Sequence, residues 1–168
     1  MEFSDEHTVS FTGHRSYAGE GADALREVVE LLWRRGVRVF MSGMALGFDM
    51  AAAEAVVALR KRHPAVRLVA VVPFRGQEQS FSKAERTRWE RLIAAADEVV
   101  TLAEEYRREV YAVRNNYLVD HATTLVTWYN GSEGGTRYTI RRALRHDKKL
   151  IHLCPTTPLA AYPEPKLF

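Results

Sequence analysis

Six short runs rich in β-branched residues recur along the chain at intervals of 25 to 31 residues, and this rhythm constrains the fold more than any other feature. The runs are residues 8–12, 37–41, 67–72, 98–102, 124–128 and 149–153, and each has the composition of a strand. Between them, apolar residues fall at helical spacing. Ala22, Leu25, Val28, Val29, Leu32 and Trp33 make one such set, and Ala51, Ala52, Ala55, Val56 and Leu59 a second. Trp89, Leu92, Ile93 and Ala96, and later Ile140, Ala143 and Leu144, repeat the pattern. Gly36 and Pro64 stand where the first two helices should stop.

Several of the strands are apolar almost throughout, which requires burial on both faces, as in a parallel sheet covered by helices. The expected fold is therefore α/β: a doubly wound, mostly parallel, Rossmann-like sheet in a single domain. With 168 residues, 46% of them hydrophobic, the chain has the size of one domain with a substantial core. No internal linker or repeat interrupts it. The domain is expected to span 8–153, with tails at 1–7 and 154–168. Four of the six prolines, Pro155, Pro158, Pro163 and Pro165, fall in the second tail and predict an extended segment.

One cysteine, Cys154, permits no internal disulfide and no cysteine-rich zinc site. Arg38, Asp49 and Glu54 break the longest apolar stretches, so no membrane partner is expected, and the acidic start is unlike a signal peptide. These features predict a cytoplasmic protein. A formal charge of +3 neither demands nor excludes nucleic acid.

In sheets of this class, ligands bind beyond the carboxyl ends of the strands, where successive connections diverge. That rule selects Thr12, Gly13, His14 and Arg15 after the first strand, and Ser42, Gly43, Gly47 and Asp49 after the second. It also selects Arg75 and Gln77 after the third, and Gly134, Gly135 and Thr136 before the last helix. Glycines let the backbone approach a phosphate, and a helix N-terminus presents unpaired amides with a positive dipole end. Thr136 has two readings, a phosphate donor or the cap of the last helix, just as Gly134 and Gly135 can form a phosphate cradle or a plain turn. Asp49 likewise fits either a ribose-binding carboxylate or a structural group at the start of its helix. Arg15 offers a fork of donors suited to phosphate.

The second-strand spacing is Gly-x-x-x-Gly-x-Asp, not Gly-x-Gly-x-x-Gly, which argues against a conventional NAD-dependent dehydrogenase. Neither a Gly-x-x-x-x-Gly-Lys-Ser/Thr loop nor a Gly-x-Ser-x-Gly elbow occurs, and the histidines lack metal-ligand spacing, so no metal is expected. Arg114, Asn115 and Asp120 lie in the fourth helical region, but their offsets prevent all three from sharing one face. Tyr106 is suited either to packing at the rim or to stacking on a base.

Taken together, Thr-Gly-His-Arg, Ser-Gly-x-Ala-x-Gly-x-Asp, Pro73 with Gln77 and Trp89, the segment from Arg114 and Asn115 to Asp120, and Gly-Gly-Thr resemble the YpsA family of bacterial proteins. That family belongs to the SLOG superfamily of Rossmann-like proteins, with DprA and the LOG phosphoribohydrolases as relatives. The resemblance implies a nucleotide or nucleotide-derived ligand, ADP-ribose or an NAD-related molecule among them, held at the glycine-rich edge by a sensor or regulator. A LOG-like N-glycosidic hydrolase is the alternative, although Thr139 stands where LOG enzymes carry their glutamate and Glu133 is the only carboxylate within that loop. A DprA-like single-stranded nucleic-acid binder is a third, less favoured reading, with Arg137, Arg141, Arg142 and Arg145 as its basic residues or simply a solvated face. A homodimer is compatible with the family.

Overall fold

A computed structural model describes residues 5–155. It contains one sheet of six parallel strands: β1 (Thr8–Gly13), β2 (Val39–Ser42), β3 (Arg67–Val72), β4 (Glu98–Thr101), β5 (Thr124–Trp128) and β6 (Lys149–His152). Five α-helices connect them: α1 (Ala22–Arg34), α2 (Phe48–Arg62), α3 (Lys83–Ala95), α4 (Val110–Asp120) and α5 (Gly135–Arg145). The fold is α/β and Rossmann-like. Residues 5–7 of the expected first tail form a 3-10 turn leading into β1. From residue 156 onward, the expected second tail lies outside the described residues.

Strand order is β4-β3-β2-β1-β5-β6. The chain moves outward from β1 through β2 and β3 to β4, then returns to place β5 on the other side of β1. Helices α1, α2 and α3 pack together on one face, whereas α4 and α5 pack together on the opposite face. Right-handed crossovers explain this, because reversing the direction of travel moves the connecting helix across the sheet. A crevice consequently opens at the carboxyl ends of β1 and β5, where the connections diverge.

Side-chain alternation serves both layers. Val9 and Phe11 of β1, Phe40 of β2, and Leu68 and Ala70 of β3 join the core beneath α1 and α2. Val39 and Met41 of β2, with Val69 and Val71 of β3, point the other way and meet Leu118 of α4. Ser10 also faces α4, where its hydroxyl donates to the Leu118 carbonyl at 2.7 Å and satisfies a buried group near the helix end. The edge strand β4 alternates half-buried and exposed positions, as a one-sided strand must. Among the described residues, no helix is long and apolar enough to cross a membrane.

Candidate functional site

A cleft of about 530 Å³ lies at the β1/β5 crevice, within the range of small-molecule sites. The β1–α1 loop contributes Thr12, Gly13, His14 and Arg15; the β2–α2 loop contributes Ala45 and Leu46, and α2 contributes Asp49. Gln77, Tyr111, Arg114, Asn115, Glu133, Gly135 and Thr136 complete much of the wall. A groove of about 560 Å³ between α1 and α2 is comparable in size. Its charged side chains are already engaged, Arg88 with Glu54 and Arg26 with Asp23. The crevice cleft offers the better site, because polar groups from several loops converge on it and Arg15, Asn115 Nδ2 and the Thr136 hydroxyl have no hydrogen-bond or ion-pair partner among the described residues.

Arg114 and Asp49 form its buried electrostatic centre. Arg114 is 8% exposed; its Nη1 donates to the Gly43 carbonyl and its Nε to Asn115 Oδ1, both at 3.1 Å. A Cβ on Gly43 would lie 2.7 Å from Arg114 Cδ and 3.0 Å from Asp49 Oδ2, so the glycine provides the space in which these two side chains meet. Burial pushes the Asp49 carboxyl up to about 6, against the opposing pull of Arg114 and of the Ala45 N–H that donates to Oδ2 at 3.3 Å. Burial lowers the Arg114 guanidinium in turn, with Asp49 opposing and Arg15 adding to the shift. Arg15 is exposed and makes no ion pair among the described residues. Two cations thus face one cleft with only Asp49 buried between them.

Donors line the opposite wall. Helix α5 starts at Gly135 with Gly134 as its N-cap, and Tyr138 is the first residue whose N–H bonds back, to the Gly134 carbonyl at 3.1 Å. The amides of Gly135, Thr136 and Arg137 therefore have no partner within the helix. The capping alternative for Thr136 is corrected by this geometry: it lies inside the first turn, its side chain makes no cap bond, and it lines the cleft. Asn115 Nδ2 makes no hydrogen bond among the described residues and lies 3.5 Å from the position a Gly135 Cβ would take. His14 Nε2 accepts the Asn130 N–H at 2.9 Å, which places the ring proton on Nδ1. Burial lowers the His14 pKa, with Asn130 partly offsetting it.

Other selected residues position the site without lining it. Ser42 Oγ donates to the Asp49 carbonyl at 2.8 Å and accepts the Met44 N–H at 3.2 Å, tying the start of α2 to the end of β2. Gly47, at φ +80°, would place a Cβ 2.5 Å from the carbonyl oxygens of both His14 and Arg15. The glycine is there to let two loop backbones touch. Gly13, which does line the cleft, makes a similar allowance for the Phe48 ring, 2.5 Å from its would-be Cβ. Arg75 turns outward instead, where its Nε donates to Glu104 at 2.9 Å, and it does not line the cleft. Asp120 lies outside too, held by both carboxylate oxygens on Arg142 at 2.9 and 3.0 Å.

Sequence reasoning passed over Met44 and Tyr111. Met44 is buried in the left-handed region at φ 61°. Its carbonyl accepts from Gln77 Nε2, whose Oε1 accepts from Trp89 Nε1, each at 3.1 Å. This relay braces a strained, buried residue next to the cleft-lining Ala45. Gln77→Leu leaves both the Met44 carbonyl and the indole N–H unpaired, and is expected to cost ~2 kcal/mol of stability in urea unfolding. An unchanged midpoint would show that the relay carries no strain. Tyr111 was detectable as the residue three before Arg114, hence on its helical face.

A family model described as the YspA SLOG family (YpsA) matches residues 22–154. The chain belongs to the YpsA SLOG family. The matched span starts at α1, so β1 and the Thr12–Arg15 loop precede it. Among YpsA-like relatives, the SPbeta prophage-derived protein YoqJ of Bacillus subtilis is 30% identical over 144 residues, covering 76% of this chain and 84% of YoqJ. The UPF0398 protein BH1768 of Halalkalibacterium halodurans is 29% identical over 115 residues, and the match spans 61% of its length. DNA processing protein A (DprA) from Streptococcus pneumoniae superposes with a TM-score of 0.65 at 19% identity, covering 94% of this chain. The chain spans only 53% of that DprA chain. The Moco carrier protein of Chlamydomonas reinhardtii superposes with a TM-score of 0.53 at 17% identity, covering 93% of this chain and 80% of its own. At these identities the structural likeness is one of fold.

Proposed function

We propose that the crevice binds a nucleotide or nucleotide-derived ligand, such as ADP-ribose or an NAD-related molecule, and that the protein acts as a sensor or regulator of it. The observation carrying this reading is the convergence of unpartnered donors on one cleft. Arg15, Asn115 Nδ2, the Thr136 hydroxyl and the first amides of α5 all border the same volume. An anionic oxygen cluster is the chemical group that satisfies such a set, and the α5 dipole adds to the attraction. Asp49, as a buried acceptor, suits ribose hydroxyls. Membership of the YpsA SLOG family supports the same reading.

Isothermal titration with AMP, ADP-ribose, NAD and inorganic pyrophosphate tests it. Binding of the phosphorylated ligands is expected, and no heat from any of them at millimolar concentration would overturn the proposal. Arg15→Ala is expected to weaken binding by about tenfold or more, the worth of a charge-assisted hydrogen bond. It should leave the melting temperature unchanged, since Arg15 is exposed and has no ion pair to lose among the described residues. Native mass spectrometry of freshly purified protein would reveal a co-purifying nucleotide directly.

Nucleic acid is the second reading. One solved neighbour is described by its single-stranded DNA binding mode, the DNA processing protein A of Helicobacter pylori, with a TM-score of 0.63 at 17% identity. Here Arg141 and Arg145 on α5 are exposed, as is Lys149 just beyond it. An oligonucleotide bound through these residues would lose affinity steeply with salt, whereas a mononucleotide in the cleft would show a shallow dependence. Base release from nucleoside monophosphates, followed by chromatography, tests the hydrolase alternative, for which Asp49 is the buried carboxylate at hand.

A further inference from the structure

Beside the cleft stand three aromatic rings that contribute to none of the hydrophobic core clusters: Phe74, Tyr106 and Tyr111. Phe74 lies 5.5 Å from Tyr106 and 6.2 Å from Tyr111 between ring centroids, both edge to face, and the two tyrosines are 6.3 Å apart. Tyr106 is 60% exposed and Tyr111 44%. Neither phenol has a hydrogen-bond partner among the described residues. Aromatic surface of this extent is ordinarily buried, and here it is braced from behind yet left open to water.

Position gives the cluster its meaning. Tyr111 lines the cleft, and the Arg114 guanidinium sits 5.5 Å from its ring centroid. Contacts link these groups in turn: the start of α5 lies against Asn115, Asn115 accepts from Arg114, Arg114 faces the Tyr111 ring, and Tyr111 neighbours the exposed Tyr106. The first of these groups suits an anion and the last a flat apolar ring. A nucleotide carries those two parts at its two ends.

We propose that Tyr111 and Tyr106, backed by Phe74, are the platform on which the base of a nucleotide ligand stacks. The inference rests on the reading of the cleft as an anion site. Stacking uses the ring face that every base possesses, so the platform selects for the presence of a base rather than its identity, with purines favoured by their larger area. It also accounts for the placement of Tyr106 outside the cleft proper, since the base of a ligand anchored by its phosphate extends outward.

Titration of AMP and ribose 5-phosphate, two probes differing by the base alone, tests the platform. The wild-type protein should bind both, AMP more tightly. Tyr106→Ala and Tyr111→Leu should each weaken AMP by at least about fivefold, while ribose 5-phosphate is unchanged; Tyr106→Phe and Tyr111→Phe should bind like wild type. If wild-type protein binds both probes and the variants leave the ratio of their affinities intact, the platform is overturned and the anion site stands. Equal weakening of both probes by Tyr111→Leu overturns it as well, by showing that the ring merely holds Arg114 in place. Wild-type protein that binds neither probe overturns the anion reading and, with it, the platform.

Discussion

Arg114→Met is expected to destabilise the protein by ~3–5 kcal/mol at pH 8, the cost of leaving one member of a buried charge pair alone. Arg114 joins α4 to the β2–α2 loop across 71 residues of sequence, and it is the cation that partly offsets the burial of Asp49. Methionine fills much of the same volume, so the loss reports charge and hydrogen bonding rather than a cavity. The loss should shrink as pH falls toward 5, because an unpaired Asp49 escapes its penalty by taking up a proton. Guanidinium unfolding of the single variant and of Asp49→Asn/Arg114→Met provides the check. The double variant should recover the larger part of the loss at pH 8. A double variant as unstable as the single one would show that Arg114 acts through packing and its bonds to Gly43 and Asn115.

The second large effect concerns Asp49 itself. Its folded value of about 6 lies above the ordinary 3.8, so the folded state holds the proton more tightly than the unfolded state does. The sign follows: the Asp49 contribution is most favourable below about pH 4, is lost as pH rises toward 6, and stays lost above 7. The gap corresponds to ~3 kcal/mol. Asp49→Asn, which keeps an oxygen for the Ala45 N–H, is expected to be more stable than wild type by up to ~3 kcal/mol at pH 8, with the difference vanishing near pH 4. Unfolding free energies of both proteins from pH 4 to 8 measure this directly, and a difference that does not change with pH would refute it. In the same window, wild-type affinity for sulfate should rise as pH falls through 6, since neutral Asp49 no longer repels an anion, whereas Asp49→Asn should show no such step. A carboxylate kept in the free protein at a cost in stability is characteristic of functional sites, which supports its proposed role toward ribose.

Much of this was legible in the chain. Strand boundaries read from β-branched runs match the observed strands to within about two residues, because a strand buried on both faces has no room for polar interruptions. The loops at the carboxyl edge were legible as well, since glycines and small polar residues accumulate where backbones must approach one another. What individual glycines do was not. Gly43 and Gly47 invite the reading of phosphate cradles, yet one makes room for Arg114 and Asp49 and the other for the His14 and Arg15 carbonyls. Composition records that a Cβ is missing but not what fills the space. Arg75 illustrates the converse, since its place after β3 brought it into the expected site and Glu104 draws it outward.

The sequence by itself determined the alternation of strand and helix, the parallel sheet, and the edge at which glycines and small polar residues gather, because local periodicity and two-sided burial are written residue by residue. Only the tertiary structure decided that β5 returns beside β1, and so that Arg114 and Asn115 of α4 meet Asp49 of α2 and the first turn of α5. Strand order leaves no trace in periodicity: it is set by which face each crossover helix covers and which apolar surfaces fit together, and the cleft exists only once that choice has been made.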